Sequence, residues 1–136
     1  MSRMIFVNLP VKDLPQSMAF YKALGFVNNP HFTDDTAACM VIEEGSIHVM
    51  LLTHAKWATF TQRPIPATGS SEVMIALSCD SRAAVDAMND AATAHGGTAD
   101  INARQDLGFM YNRSFADPDG HIWEPMWMDP AAIPKG

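Results

Sequence analysis

Apolar and polar positions along the chain fall into two successive blocks with the same order of elements. Met4 to Val11 has strand character. Asp13, with Gln16 three residues on, predicts an N-cap for a helix from about Leu14 to Leu24, and Gly25 marks its stop. Phe26 begins a second strand, and Ala37 to Ile42 and Ile47 to Thr53 read as two more, joined by Glu43-Glu44-Gly45-Ser46. The second block predicts a strand over Val73–Cys79. An alanine-rich helix follows from Ser81 to about His95, with Val85, Met88 and Ala92 at helical spacing and Gly96-Gly97 as terminator. Strands over Thr98–Ala103, Phe109–Ala116 and His121–Met128 complete it.

Each block is therefore β-α-β-β-β. Pro64, Pro66 and Gly69 interrupt periodicity between them, placing a linker near His54–Ser71, module one at about 1–55 and module two at about 72–130 of a single domain. The repeat also shows in the residues. Phe6-Val7-Asn8-Leu9 matches Met74-Ile75-Ala76-Leu77, and Gly45–Leu51 matches Gly120–Glu124 with a slip at the turn. In that match His48 falls on His121 and Leu51 on Glu124.

The last hairpin is the most tightly specified segment. In Asp117-Pro118-Asp119-Gly120 the proline presets φ for the first central turn position, and Gly120 can take the left-handed position of a three-residue loop. Asp117 then pairs with His121, Ser114 with Glu124, and Asn112 with Met126. One face collects Ile122, Glu124, Met126, Ser114 and Asn112, while Tyr111 and Arg113 point away; a one-residue slip would reverse this. Glu124 is a carboxylate inside an apolar strand and needs a partner, a metal or a proton.

Composition limits the function classes. A length of 136 residues suits one domain, and an apolar fraction of 48% with a formal net charge of −6 fits a globular protein and disfavours general nucleic-acid or anionic-membrane binding. No apolar run reaches the roughly 20 residues of a membrane-spanning helix, and the N-terminal segment lacks a signal-peptide core, so the expected compartment is the cytoplasm. Cys39 and Cys79 stand in strand-like contexts without CxxC spacing and read as small core residues.

The hairpin, taken with Asp13–Phe26, resembles the vicinal oxygen chelate superfamily of glyoxalases, bleomycin- and fosfomycin-resistance proteins and extradiol dioxygenases. The likeness is greatest to small bacterial predicted lactoylglutathione lyases and spans nearly the whole chain. It implies an α+β fold in which two pseudo-symmetric modules form a curved mixed sheet around a cavity, and it implies a homodimer. In metal-dependent members each module supplies one ligand from its first strand and one from its last, holding an ion that stabilises an enediolate or oxyanion. The corresponding positions here are Phe6, Leu51, Met74 and Glu124.

Only Glu124 among these can bind a hard or borderline cation, whereas metal sites typically take about three or four protein ligands. No metal and no other cofactor is therefore expected. The replacements instead make an apolar cavity suited to a hydrophobic or aromatic compound. Phe6, Leu51, Met74, Asn112, Ser114 and Met126 are the expected ligand contacts, and Glu124 is the candidate catalytic or orienting group. His31, His48, His54, His95 and His121 read as structural or exposed. Tyr111, Asn112 and Arg113 either bind a carboxylate or phenolate or satisfy one another. Trp123 and Trp127 read as core, and Lys56-Trp57-Ala58-Thr59-Phe60 as a lid or a dimer contact. The leading expectation is a metal-independent protein that binds or transforms an apolar small molecule. The rivals are a metal-dependent lyase or isomerase and a drug-sequestering resistance protein.

Overall fold

A computed structural model of the protein describes residues 3–132. The fold is α+β and repeats the β-α-β-β-β order, in two compact units that meet in sequence between Thr68 and Gly69.

Module one comprises β1 (Ile5–Val11), α1 (Leu14–Ala23), β2 (Val27–Asn29), a 3-10 turn (Pro30–Phe32), β3 (Ala37–Glu43), β4 (Ile47–Thr53) and α2 (His54–Ala58). Asp13 caps α1 as expected: its Oδ1 accepts from the Gln16 amide at 3.0 Å. Gly25 ends the turn at φ 99°, a conformation that favours glycine. The sheet order is β1-β4-β3-β2, with β1 and β4 parallel and the other pairs antiparallel. Phe20 and Tyr21 of α1 are fully buried with Val49, Leu51, Ala38 and Met40, which occupy the helix-covered face of the sheet.

Module two comprises β5 (Met74–Ser78), α3 (Arg82–Ala94), β6 (Thr98–Ala99), β7 (Gln105–Asp106), β8 (Met110–Asn112), β9 (Phe115–Ala116) and β10 (Ile122–Met128). β5 runs parallel to β10, whose other edge pairs antiparallel with β8 and β9; these pair in turn with β7 and β6. Ser81 caps α3, its hydroxyl accepting from the Ala84 amide at 3.0 Å. Val85, Asn89 and Ala92 form the buried helix face. Trp123 and Phe115 sit almost wholly buried on the helix side of the sheet, in keeping with a core role.

Two expected strands are interrupted. Thr98–Ala103 shrinks to Thr98–Ala99 because Asp100 turns to φ 52° and donates its amide to the Ser114 carbonyl at 2.6 Å. Phe109–Ala116 is split at Arg113 and Ser114 without loss of register, since the Arg113 amide still reaches the Pro125 carbonyl at 3.2 Å. The linker region begins with helix, α2, rather than irregular chain.

Candidate functional site

Strand alternation determines what module one presents on the face away from α1. In the parallel β1–β4 pair, Phe6 stands beside His48, Asn8 beside Met50 and Pro10 beside Leu52; across β3, Met50 meets Cys39 and Leu52 meets Ala37. The rows Asn8-Met50-Cys39 and Leu52-Ala37 form the floor of a pocket of about 340 Å³. Phe6 flanks it, Phe32 reaches in from the 3-10 turn, and Lys56 and Phe60 close it from α2 and the turn that follows.

The helix α2 is pinned at both ends. The Thr53 hydroxyl accepts from the Lys56 amide at 3.2 Å, and the Lys56 carbonyl accepts from the Thr59 hydroxyl at 2.7 Å. The Lys56 ammonium lies 5.4 Å from the centre of the Phe60 ring and makes no ion pair among the described residues. The nearby Asp34 is already engaged by Thr36, whose hydroxyl and amide lie 2.7 and 2.8 Å from its Oδ1; these hydrogen bonds hold its carboxyl below the usual range. Burial, followed by the charge of Glu44, pushes the Cys39 thiol up, so it contributes neutral, polarisable surface.

The expected place of Leu51 is corrected. It pairs with Leu9, is fully buried, and faces α1; Met50 and Leu52 are its neighbours on the Phe6 side. A bulge between Val41 and Glu43 inserts one residue into the β3–β4 hairpin. Phe6 pairs with His48 as Met74 pairs with Ile122, so the counterpart of Glu124 is Met50 and His48 corresponds to Ile122, not His121. His48 therefore shares the face of Phe6, and the two rings are stacked.

In module two the hairpin register is as expected. The Asp117 amide donates to the His121 carbonyl at 2.9 Å, Trp123 pairs with Phe115, and Met126 pairs with Asn112. The Asp117 carboxylate organises the loop by accepting from the Asp119 and His121 amides at 2.9 and 2.8 Å, and Gly120 takes φ 89°. Met74, Ala76, Ile122, Glu124, Met126 and Asn112 share the face away from α3. Glu124 is half-buried beside Ala76 and makes no hydrogen bond or ion pair among the described residues.

Ser114 falls beside Glu124 in this register, but its hydroxyl is taken by a loop, accepting from the Asn102 amide at 2.8 Å and donating to the Asn102 carbonyl at 3.2 Å. Asn112 donates to Gln105 at 3.4 Å, and the Met74 sulfur accepts from the Asn102 amide group at 3.6 Å.

Tyr111 and Arg113 occupy the helix side. The Tyr111 hydroxyl donates to Asp86 at 2.7 Å, and Arg113 reaches Asp86 at 3.0 Å and Asp100 through two bonds of 3.0 and 2.8 Å. The hydrogen bond from Tyr111, followed by the one from Arg113, lowers the Asp86 carboxyl; Arg113 lowers that of Asp100. The cluster satisfies itself, the structural alternative of the two read from sequence.

Among the described residues no group of three or more His, Cys, Asp and Glu side chains could hold a metal ion. The register positions corresponding to family ligands carry Phe6 and Met50 in module one and Met74 and Glu124 in module two, and neither pair fits a hard or borderline cation.

The sequence did not single out Asn8, Phe32, Ala37, Cys39, Met50 or Leu52 as site residues. Even-numbered alternation from Phe6 along β1 would have found Asn8, but the β4 residues required knowledge of the β1–β4 register. No helix among the described residues is long and apolar enough to cross a membrane.

The model of the glyoxalase/bleomycin resistance protein/dioxygenase superfamily matches residues 3–124. No curated protein matches the chain. Among solved structures, a hypothetical protein of S. aureus is 29% identical with a TM-score of 0.76, the alignment covering 93% of this chain and 95% of that one. A glyoxalase-related enzyme from Fulvimarina pelagi is 17% identical with a TM-score of 0.77, covering 100% and 94%. The bleomycin resistance determinant encoded on transposon Tn5 is 18% identical with a TM-score of 0.63, covering 94% and 99%. The latter two likenesses are of fold.

Proposed function

Since the chain belongs to the glyoxalase/bleomycin resistance protein/dioxygenase superfamily, we propose that it binds an apolar or aromatic small molecule and does so without a metal ion. The observation that carries this reading is the module-one pocket. Its volume of about 340 Å³ lies within the usual range for small-molecule sites, and Phe6, Phe32, Met50, Leu52 and Phe60 supply most of its wall. The chemistry of Phe6, Met50 and Met74 at family ligand positions supports the metal-independent part.

A thermal-shift screen of aromatic and hydrophobic metabolites tests the proposal. A ligand at about 100 times its dissociation constant adds roughly 2.7 kcal/mol of stability. Met50→Glu, which puts a carboxylate on the pocket floor, should abolish the hits. Equal binding by that folded variant would place the ligand elsewhere and overturn the reading.

Glu124 supports a second reading, a glyoxalase-type lyase or isomerase. An unpartnered carboxylate on an apolar strand face is suited to take a proton from a carbon beside a carbonyl group. The negative charge that then develops on the substrate oxygen needs compensation, and no cationic residue of β5, β8 or β10 shares the Glu124 face to provide it. Binding without lactoylglutathione lyase turnover is therefore the preferred form. We also take the protein to be a homodimer, a reading supported by the exposed apolar side chains of Ile5 and Val27. Analytical ultracentrifugation at micromolar concentration distinguishes dimer from monomer.

A further inference from the structure

The chain as a whole is acidic, with a formal net charge of −6, yet of the residues lining the module-one pocket only one is charged, and it is a cation. Lys56 is half-buried on α2 with its ammonium against the Phe60 ring, and it has no ion-pair partner among the described residues. A lysine stem laid along apolar surface with an unpaired head at the pocket wall is expected to prefer an anion brought there by a ligand. Asp34 is the nearby competing carboxylate and feels the Lys56 charge, but the two form no ion pair and the Asp34 Oδ1 accepts from the Thr36 amide, the Thr36 hydroxyl and the Ala37 amide. Asn8, on the floor of the same pocket, carries a side-chain amide that no described residue engages, an available donor for a second anionic oxygen.

We propose that this pocket selects organic carboxylates: an aromatic or branched aliphatic body packs against Phe6, Met50 and Leu52 while its carboxylate pairs with Lys56 and accepts a hydrogen bond from Asn8. The proposal rests on the reading of the pocket as a small-molecule site and adds the sign of the ligand's charge. It runs against the expectation that net acidity draws a cationic ligand, because the local charge facing a bound molecule acts at a few ångströms while remote surface charges are screened beyond about 8 Å at physiological salt.

Calorimetric titration of the full chain with two matched pairs tests it: 1-naphthoate against 1-naphthamide, and 3-phenylpropanoate against 3-phenylpropanamide. Each acid is expected to bind about tenfold more tightly than its amide, as charge-assisted contacts at a partly dry site allow. That preference should vanish in Lys56→Met, persist in Lys56→Arg, and shrink as salt is raised. Circular dichroism verifies that both variants are folded. Acid and amide binding alike, an acid preference unchanged in Lys56→Met, or an equal loss of both ligands in that variant would overturn selection by charge while leaving an apolar binding pocket. Failure of all four probes to bind the wild-type chain would overturn the pocket reading together with the inference built on it.

Discussion

Phe6 lies flat against His48, the ring centroids 4.4 Å apart and the planes 16° from parallel. Parallel partners on adjacent strands share a face, so this stack puts Met50 and Leu52 with Phe6 and sends Leu51 to the helix side.

Leu51→Ala and Met50→Ala should therefore fail in opposite ways. The first empties a fully buried site and should cost about 2–5 kcal/mol of stability, read by urea denaturation. The second removes half-exposed surface and should cost about 1 kcal/mol or less while weakening the thermal-shift response to aromatic ligands. The reverse ranking would mean that the strand faces are exchanged.

The Asp117 loop offers a local test of fold stability. Asp117→Ala removes the acceptor of two backbone N–H groups and should destabilise by about 1–3 kcal/mol. Gly120→Ala, at φ 89°, should cost about 1 kcal/mol or more through backbone strain. Losses within about 0.5 kcal/mol in both variants, the range of ordinary surface changes, would show that the loop does not depend on these devices.

The Asp86-Arg113-Asp100 cluster gives stability a defined pH dependence. Both carboxyls are held below their ordinary value, Asp86 chiefly by the Tyr111 hydroxyl and Asp100 by Arg113. The folded state thus binds fewer protons than the unfolded chain, where Asp titrates near 3.9; the stabilisation is present above about pH 4 and is lost as pH falls through the lower folded values. Asp106, drawn to about 2 by Arg82, extends the same window downward. The side chains of Asp86 and Asp100 are 46% and 37% exposed, so solvent screening keeps their contribution modest. Arg113, only 10% exposed, is the costlier residue to lose. Arg113→Met should lower stability by about 1–3 kcal/mol at pH 7 and flatten the decline between pH 4 and 2. An unchanged acid limb would argue against the cluster as its source.

Elemental analysis of chelator-treated protein after exposure to zinc, nickel, manganese or iron should find well below one equivalent per chain. The methylglyoxal–glutathione hemithioacetal should not turn over in the usual enzymatic range of roughly 1 to 1000 per second. One equivalent of metal that is lost in Glu124→Ala, with turnover lost alongside it, would favour the lyase reading.

Features specified by neighbouring residues were legible in the sequence. The cap at Asp13 and the three-residue loop after Asp117 each rest on side chains within a few positions, and the loop carries the β8–β10 register with it. Long-range geometry was not legible in the same way. Nothing local to β1 or β4 announces that Phe6 pairs with His48, and matching His48 to His121 moved Leu51 to the wrong face. The early end of the Thr98 strand depends on Asp100 and Asn102 meeting Ser114, fourteen and twelve positions away. Lys56 lay within a segment read as a lid, but its approach to Cys39 and Met50 across the pocket follows only once β4 turns into α2.

The Val41–Glu43 bulge uncouples hairpin length from binding chemistry. Val41 pairs with His48 and Glu43 with Ile47, so deleting the intervening Ile42 would leave those pairs in place and keep Met50 and Leu52 on the pocket face. A one-residue change in hairpin length is thus absorbed by the strand that carries it and spares the ligand-facing row of β4, whereas a one-residue slip between β1 and β4 would exchange that whole row at once.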